Sequence, residues 1–300
     1  MDNDAVSRSI SIFAGLPEHH VVRNFSHFRG FRTEVETISQ SLRQGGGNQY
    51  LVLLNVPLRV LTMLDHHDKE CGPINYRLNW QGNTALVKVV PSGAHECITS
   101  AFCDIIKEIH HQMGCFWTSL GWVLATTYTS RWGDGMQADN AFVPEARLRL
   151  GLPPTQWPTL VVETGVSESL AHLREDAKRW LRCSEGHVRI VILISVRRDH
   201  IFIEKWQLAP PNAPIPLNKR YIDSLKAQNR NMPPMVPQLS SLLQAYCSQE
   251  ITIEQNATSG CPLIIPFEAL HDRLPDATDS DILIQDWHFR YMYRFLPRVP

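Results

Sequence analysis

The chain has 300 residues, with 29 basic against 30 acidic side chains, a formal net charge of −1, 43% hydrophobic and 20% charged residues. That is ordinary globular composition, which excludes disordered, collagen-like and coiled-coil classes and leaves room for one large domain or two small ones. Near-neutral charge also removes the strongly basic domain that most simply marks a nucleic-acid partner.

The chain shows no apolar run long enough to cross a membrane, and its first 15 residues lack a basic segment followed by an apolar core. The expectation is a protein that is not secreted and works inside the cell, in cytoplasm or nucleus. Seven cysteines, an odd number without a Cys-x-x-Cys pair, point to free thiols rather than a disulfide framework or a zinc ribbon.

The first 84 residues read as an N-terminal extension with little pattern. Gly45-Gly46-Gly47 marks a loop, and Tyr50–Val60 reads as a strand interrupted at Pro57. Ala85–Val90 is a short apolar strand closed by Pro91-Ser92-Gly93. Next comes the clearest helix, in which Ile98, Ala101, Phe102, Ile105, Ile106 and Ile109 share one face before Gly114.

Gly121–Thr129 is rich in β-formers, and Ala138–Val143 reads as a further extended piece after the turn at Gly133-Asp134-Gly135. A proline-rich stretch, Pro153–Pro158, precedes the apolar strand Thr159–Thr164. Ser167 is placed to cap a helix carrying Leu170, Leu173, Ala177, Trp180 and Leu181 at helical spacing. Val188–Val196 is almost continuously apolar, as a central strand covered on both faces should be. His200–Trp206 alternates and predicts an outer strand with one wet face. The division expected is a core over 85–208, a proline-rich loop over 209–237 and a C-terminal extension over 238–300 with a strand at Glu250–Glu254 and a helix over Asp279–Phe295. The order of helices and strands over 94–206 implies an α/β architecture, a mixed central sheet flanked by helices.

Two carboxylates stand at strand edges within this core: Asp139 in Gln137-Ala138-Asp139-Asn140, and Glu163 in Val161-Val162-Glu163-Thr164-Gly165. With Pro91–Glu96 before the first clear helix, Gly133–Pro144, and the run from Trp157 to Trp206, they resemble the PD-(D/E)XK, or restriction-endonuclease-like, superfamily, within it a fungal branch. The resemblance implies a restriction-endonuclease-like core, a divalent-metal-dependent nuclease activity on phosphodiester bonds, and nucleic acid as partner. It implies magnesium, with manganese as a substitute, held by Asp139, Glu163, the Thr164 carbonyl and Glu96. Hard oxygen ligands suit that ion, which keeps several waters and needs only one or two protein carboxylates.

The pattern departs from the superfamily where Ala138 precedes Asp139 and, more seriously, where Gly165 stands in place of the expected lysine. Lys178, on the following helix with Arg174 one turn earlier, is the candidate replacement. His95 is read chiefly as a cap of its helix. The histidine pairs 19–20, 66–67 and 110–111 are not expected to converge on a metal, because helical neighbours point about 100° apart. Lys219, Arg220, Lys226 and Arg230 form a local basic stretch able to meet phosphates. Two other readings compete with the nuclease: a catalytically inactive binding or regulatory module on the same fold, and an accessory protein of a fungal metabolic pathway.

Overall fold

The computed structural model describes residues 11–44, 46–67, 69–90, 93–124, 126–148, 156–166, 170–228, 231–238 and 242–296. Pro91, Ser92, Pro153–Thr155, the capping position Ser167 and Arg230 lie outside the described residues.

Two sheets carry the molecule. The smaller is built from β1 (Val21–Asn24), β2 (Tyr50–Leu54), β3 (Tyr76–Gln81), β4 (Thr84–Val89), β6 (Thr127–Thr129) and β7 (Gly135–Gln137), in the order β1-β2-β4-β3-β7-β6. The larger has seven strands in the order β13-β12-β11-β10-β9-β8-β5, from β5 (Leu120–Val123), β8 (Asn140–Pro144), β9 (Leu160–Val166), β10 (Ile190–Val196), β11 (His200–Leu208), β12 (Ala245–Glu254) and β13 (Thr258–Ser259). It is mixed: β9 and β10 run parallel and the remaining pairs antiparallel.

Alternation along β9 and β10 sorts side chains to opposite faces of the large sheet. On one face Leu160, Val162, Ile190, Ile192 and Ile194 pack under α3 (Gly93–Gln112), whose Ile98, Phe102 and Ile106 form its buried stripe. α7 (Asp286–Tyr293) and the two-stranded β14 (Leu263–Ile265) and β15 (Ile282–Ile284) extend that cover. On the other face Val161, Val191 and Leu193 meet Leu173, Ala177 and Trp180 of α4 (Leu170–Cys183). Each fully buried Leu, Ile or Val of these layers contributes about 1.5–3 kcal/mol.

Several expectations are corrected. The strand at Tyr50 ends at Leu54, and Pro57 instead opens α2 (Leu58–Asp65), a position where its missing N–H costs nothing. The first 84 residues also hold α1 (Phe28–Arg43), whose buried Phe31, Val35 and Ile38 keep helical spacing. Gly121–Thr129 divides, β5 joining the large sheet and β6 the small one. The small sheet therefore takes strands from both sides of residue 84.

β11 is an interior strand, because β12 returns beyond the proline-rich segment and covers its outer edge. Its alternating polar residues face protein: Glu204 accepts from Arg174 and Trp206, and Lys205 donates to the Ile264 carbonyl. The proline-rich segment contains α5 (Lys219–Lys226), capped by Asn218, with Lys226 paired to Glu250 at 3.2 Å. In the C-terminal part, Ile282 and Ile284 alternate with exposed Leu283, and the expected long helix is β15 followed by α7.

Within the small sheet β3 pairs β7 through Trp80 and Gly135, and the chain then runs from β7 through Ala138 and Asp139 straight into β8 of the large sheet, which joins the two. A Cβ at Gly135 would stand 2.2 Å from the Trp80 ring, so only glycine allows this approach. Buried Arg179 of α4 donates to the carbonyls of Trp80 and Gly135 and fixes the seam. Among the described residues no helix is long and apolar enough to cross a membrane.

Candidate active site

Asp139 immediately precedes β8, and Glu163 lies on the neighbouring β9, where Asn140 pairs with Val162. The antiparallel pairing therefore sets the two acids beside each other. Glu163 points to the α4 face, where Trp180 Nε1 donates to its Oε1 at 2.8 Å. Thr164, next along the strand, points to the α3 face and accepts from the Thr99 hydroxyl at 2.7 Å.

The cation at these acids comes from the other sheet. Lys88 of β4 reaches across the seam and places Nζ 3.0 Å from Asp139 Oδ2, 2.8 Å from the Thr164 carbonyl oxygen and 3.7 Å from Glu163 Oε2. His95, in the first turn of α3, puts Nε2 3.1 Å from the same Asp139 oxygen and 3.0 Å from the same carbonyl. Both neighbours of that nitrogen are acceptors, so Nε2 carries the proton. The Thr164 backbone N–H adds a third donor to Asp139 Oδ2 at 2.9 Å.

Arg77, opposite Lys88 across β3 and β4, closes the cluster, with Nε 3.4 Å from Asp139 Oδ1. Asp139 Oδ1 is buried and accepts no hydrogen bond. Glu96 stands on the rim with its side chain half exposed; it accepts from Asn75 at 3.1 Å and lies 3.7 Å from Arg77 Nη2. It meets the acid pair through Arg77.

Burial alone would raise the Asp139 carboxyl, but Lys88, His95 and Arg77 outweigh it and hold the group well below the usual carboxylate range. Glu163 moves the other way: burial and the adjacent Asp139 anion push it well above that range. Burial works against the Lys88 ammonium too, yet Asp139 and Glu163 raise it above the ordinary lysine value. Of the two acids Asp139 is therefore the one favoured as the anion, and the Lys88 ammonium is favoured by the acids it faces.

Lys178 stands apart. Its ammonium donates to Glu175 at 2.6 Å and lies 5.9 Å from the Trp206 ring centre. The helix turn explains this: Ala177 and Trp180 face the sheet, and position 178 is rotated about 100° from 177. Arg174 of the same stripe grips buried Glu204 through Nε at 3.0 and 3.1 Å.

Three participants escape a reading of the acids alone: Lys88, Arg77 and the hydrogen-bonding role of His95. The signal for Lys88 is its place in Ala85–Val90, a lysine within an otherwise apolar strand, which needs an internal counter-ion once buried. Asp176, buried on α4 and 3.4 Å from His172 Nε2, is a further acid whose charge acts on both Lys88 and Glu163.

The oxygen donors available to a hard cation are the carboxylates of Asp139 and Glu163 and the Thr164 carbonyl. Among the described residues no group of three or more His, Cys, Asp or Glu side chains is arranged to hold a metal ion. The two-carboxylate set nevertheless suits magnesium, and the unbonded Asp139 Oδ1 is a buried acceptor with capacity to spare.

No family model matches this chain, and no curated protein does. Among the solved structures that match is a candidate nuclease belonging to DUF820 from Anabaena variabilis, at 11% identity and a TM-score of 0.39, over 72% of this chain and 90% of that one. What the site can do follows from its own side chains.

Proposed function

We propose that this chain is a metal-dependent hydrolase of phosphodiester bonds in nucleic acid, built on a restriction-endonuclease-like core, with Asp139, Glu163 and Lys88 as its working groups. The supporting observation is that one ammonium is held between two buried carboxylates at adjacent strand edges, at 3.0 and 3.7 Å. This supplies from β4 the cation that Gly165 lacks.

Asp139, Glu163 and the Thr164 carbonyl would hold the divalent ion. When bound, the ion supplies Lewis-acid polarisation of the phosphoryl group and neutralises charge developing on it. The protein's own groups do the rest. His95 and the Thr164 N–H fix the Asp139 carboxylate in one orientation. Trp180 fixes the Glu163 carboxyl by donating to its Oε1 at 2.8 Å. Lys88 offers an ammonium to the anionic phosphate, and Glu96 and Arg77 line the half-exposed rim.

The test is a cleavage assay on single- and double-stranded DNA and RNA with magnesium or manganese, using wild type, Asp139→Ala and Lys88→Met. Cleavage by wild type and a loss of about 100-fold or more in each variant is expected, the scale of a lost electrostatic stabiliser. A wild type inert on all four substrates overturns the proposal.

The burial of the acids favours a second reading, a catalytically inactive nuclease-fold module whose acids serve the seam between the sheets. The Asp139 side chain is 0% exposed and that of Glu163 5%. Inert wild type with a cooperative fold lost in Asp139→Ala is the result that reading requires.

A further inference from the structure

We infer that the Lys88 ammonium occupies the very position a divalent cation would take at Asp139, Glu163 and Thr164, so that lysine and metal exclude each other and Lys88 acts as an internal gate on metal loading. The inference rests on the proposed reading of these acids as a metal site.

Three observations carry it. First, the three oxygens within reach of Lys88 Nζ are the oxygens assigned to the metal: Asp139 Oδ2, Glu163 Oε2 and the Thr164 carbonyl. An ammonium hydrogen-bonded at 2.8 and 3.0 Å cannot share that centre with a cation whose bonds to oxygen run about 2.0 to 2.6 Å.

Second, two of these three oxygens already accept from several donors. Asp139 Oδ2 takes donors from Lys88, His95 and the Thr164 N–H, and the Thr164 carbonyl takes two of the same groups. A divalent ion would also enter beside two cations, Lys88 at 3.0 Å and Arg77 at 3.4 Å from Asp139, and like charges in a buried site repel.

Third, Lys88 is the member able to leave. The Thr164 carbonyl is backbone of a strand paired along its whole length to β10, and Asp139 is held by that strand's N–H. Lys88 is rooted in the other sheet and reaches the site on a flexible four-carbon stem. Asp176 of α4 lies within electrostatic reach of it.

The experiment is calorimetric titration of Mn²⁺ into the full chain, without nucleic acid, for wild type, Lys88→Met and Lys88→Gln. Both neutral substitutions should bind Mn²⁺ at least about tenfold more tightly than wild type, and adding Asp139→Asn should abolish that gain. Affinity that stays at the wild-type level in both variants overturns the inference.

If neither variant folds, acetic-anhydride labelling of wild type read by mass spectrometry gives the answer. Lys88 should be protected without metal and labelled at saturating Mn²⁺; labelling that metal does not change overturns the gate. The two failures are distinct. An inert wild type whose Lys88 variants gain Mn²⁺ affinity defeats the nuclease reading alone, whereas an active nuclease with unchanged Mn²⁺ affinity in the variants defeats the gate alone.

Discussion

Lys88 and Lys205 are both buried lysines on interior strands, one at the seam between the sheets and one beneath the β14–β15 pair. Lys88 faces two carboxylates and is raised above the ordinary value. Lys205 donates to the neutral Ile264 carbonyl, and burial lowers it to about 8, with only weak opposing help from Cys247 and Asp281. Equal burial thus has opposite outcomes. A counter-ion offsets what burial costs an interior lysine's ammonium, and a single carbonyl offsets less of it.

Removing the counter-ion is the strongest way to break this contrast. Asp139→Ala leaves Lys88 and Arg77 buried without their shared anion and should destabilise the fold by about 3–5 kcal/mol in urea titration. A loss below about 1 kcal/mol would mean that the cluster relaxes to water and that Lys88 is no more committed than Lys205.

The second test separates the two lysines by pH. Because the folded value of Lys205 lies near 8 and the unfolded value near about 10.4, the unfolded chain binds more protons between them. Stability attributable to Lys205 should therefore rise by about 3 kcal/mol as pH climbs through that window. Lys88, raised when folded, contributes with the opposite sign: its stabilisation is complete below about 10.4 and is lost only above it. The difference between wild type and Lys205→Met in denaturation from pH 7 to 10.5 isolates the first term from the tyrosines and cysteines that titrate nearby. A flat difference would remove the contrast.

The smallest effect sharpens the comparison from outside. Lys178 is about one-third exposed and paired with Glu175 three residues away. Lys178→Ala should change stability by less than about 0.5 kcal/mol and leave any cleavage rate intact. A loss of cleavage in this variant, with folding preserved, would return the cationic role to α4.

Much of the large sheet is legible because its signals are local. The face of α3 through Ile98, Phe102 and Ile106, the apolar run of β10 and the stripe of α4 each follow from periodicity within one segment. α1 is equally local, its spacing visible in Phe31, Val35 and Ile38. β11 is not: alternation there marks polar side chains, but whether they meet water depends on β12, which arrives some forty residues later. The break in Gly121–Thr129 is likewise invisible locally, since both halves are β-rich and differ only in the sheet they join.

At the candidate site, the two acids, their placement on neighbouring strands and the glycine at 165 can be read along the chain. Which cation faces the acids comes from long-range packing. Lys88 and Asp139 are 51 positions apart and meet because β7, a strand of the sheet that carries Lys88, runs on through Asp139 into β8 of the other sheet. Side-chain periodicity reports which face a residue occupies, whereas a charge pair forms wherever the fold brings opposite charges together out of water; that is a property of packing, and no local pattern encodes it.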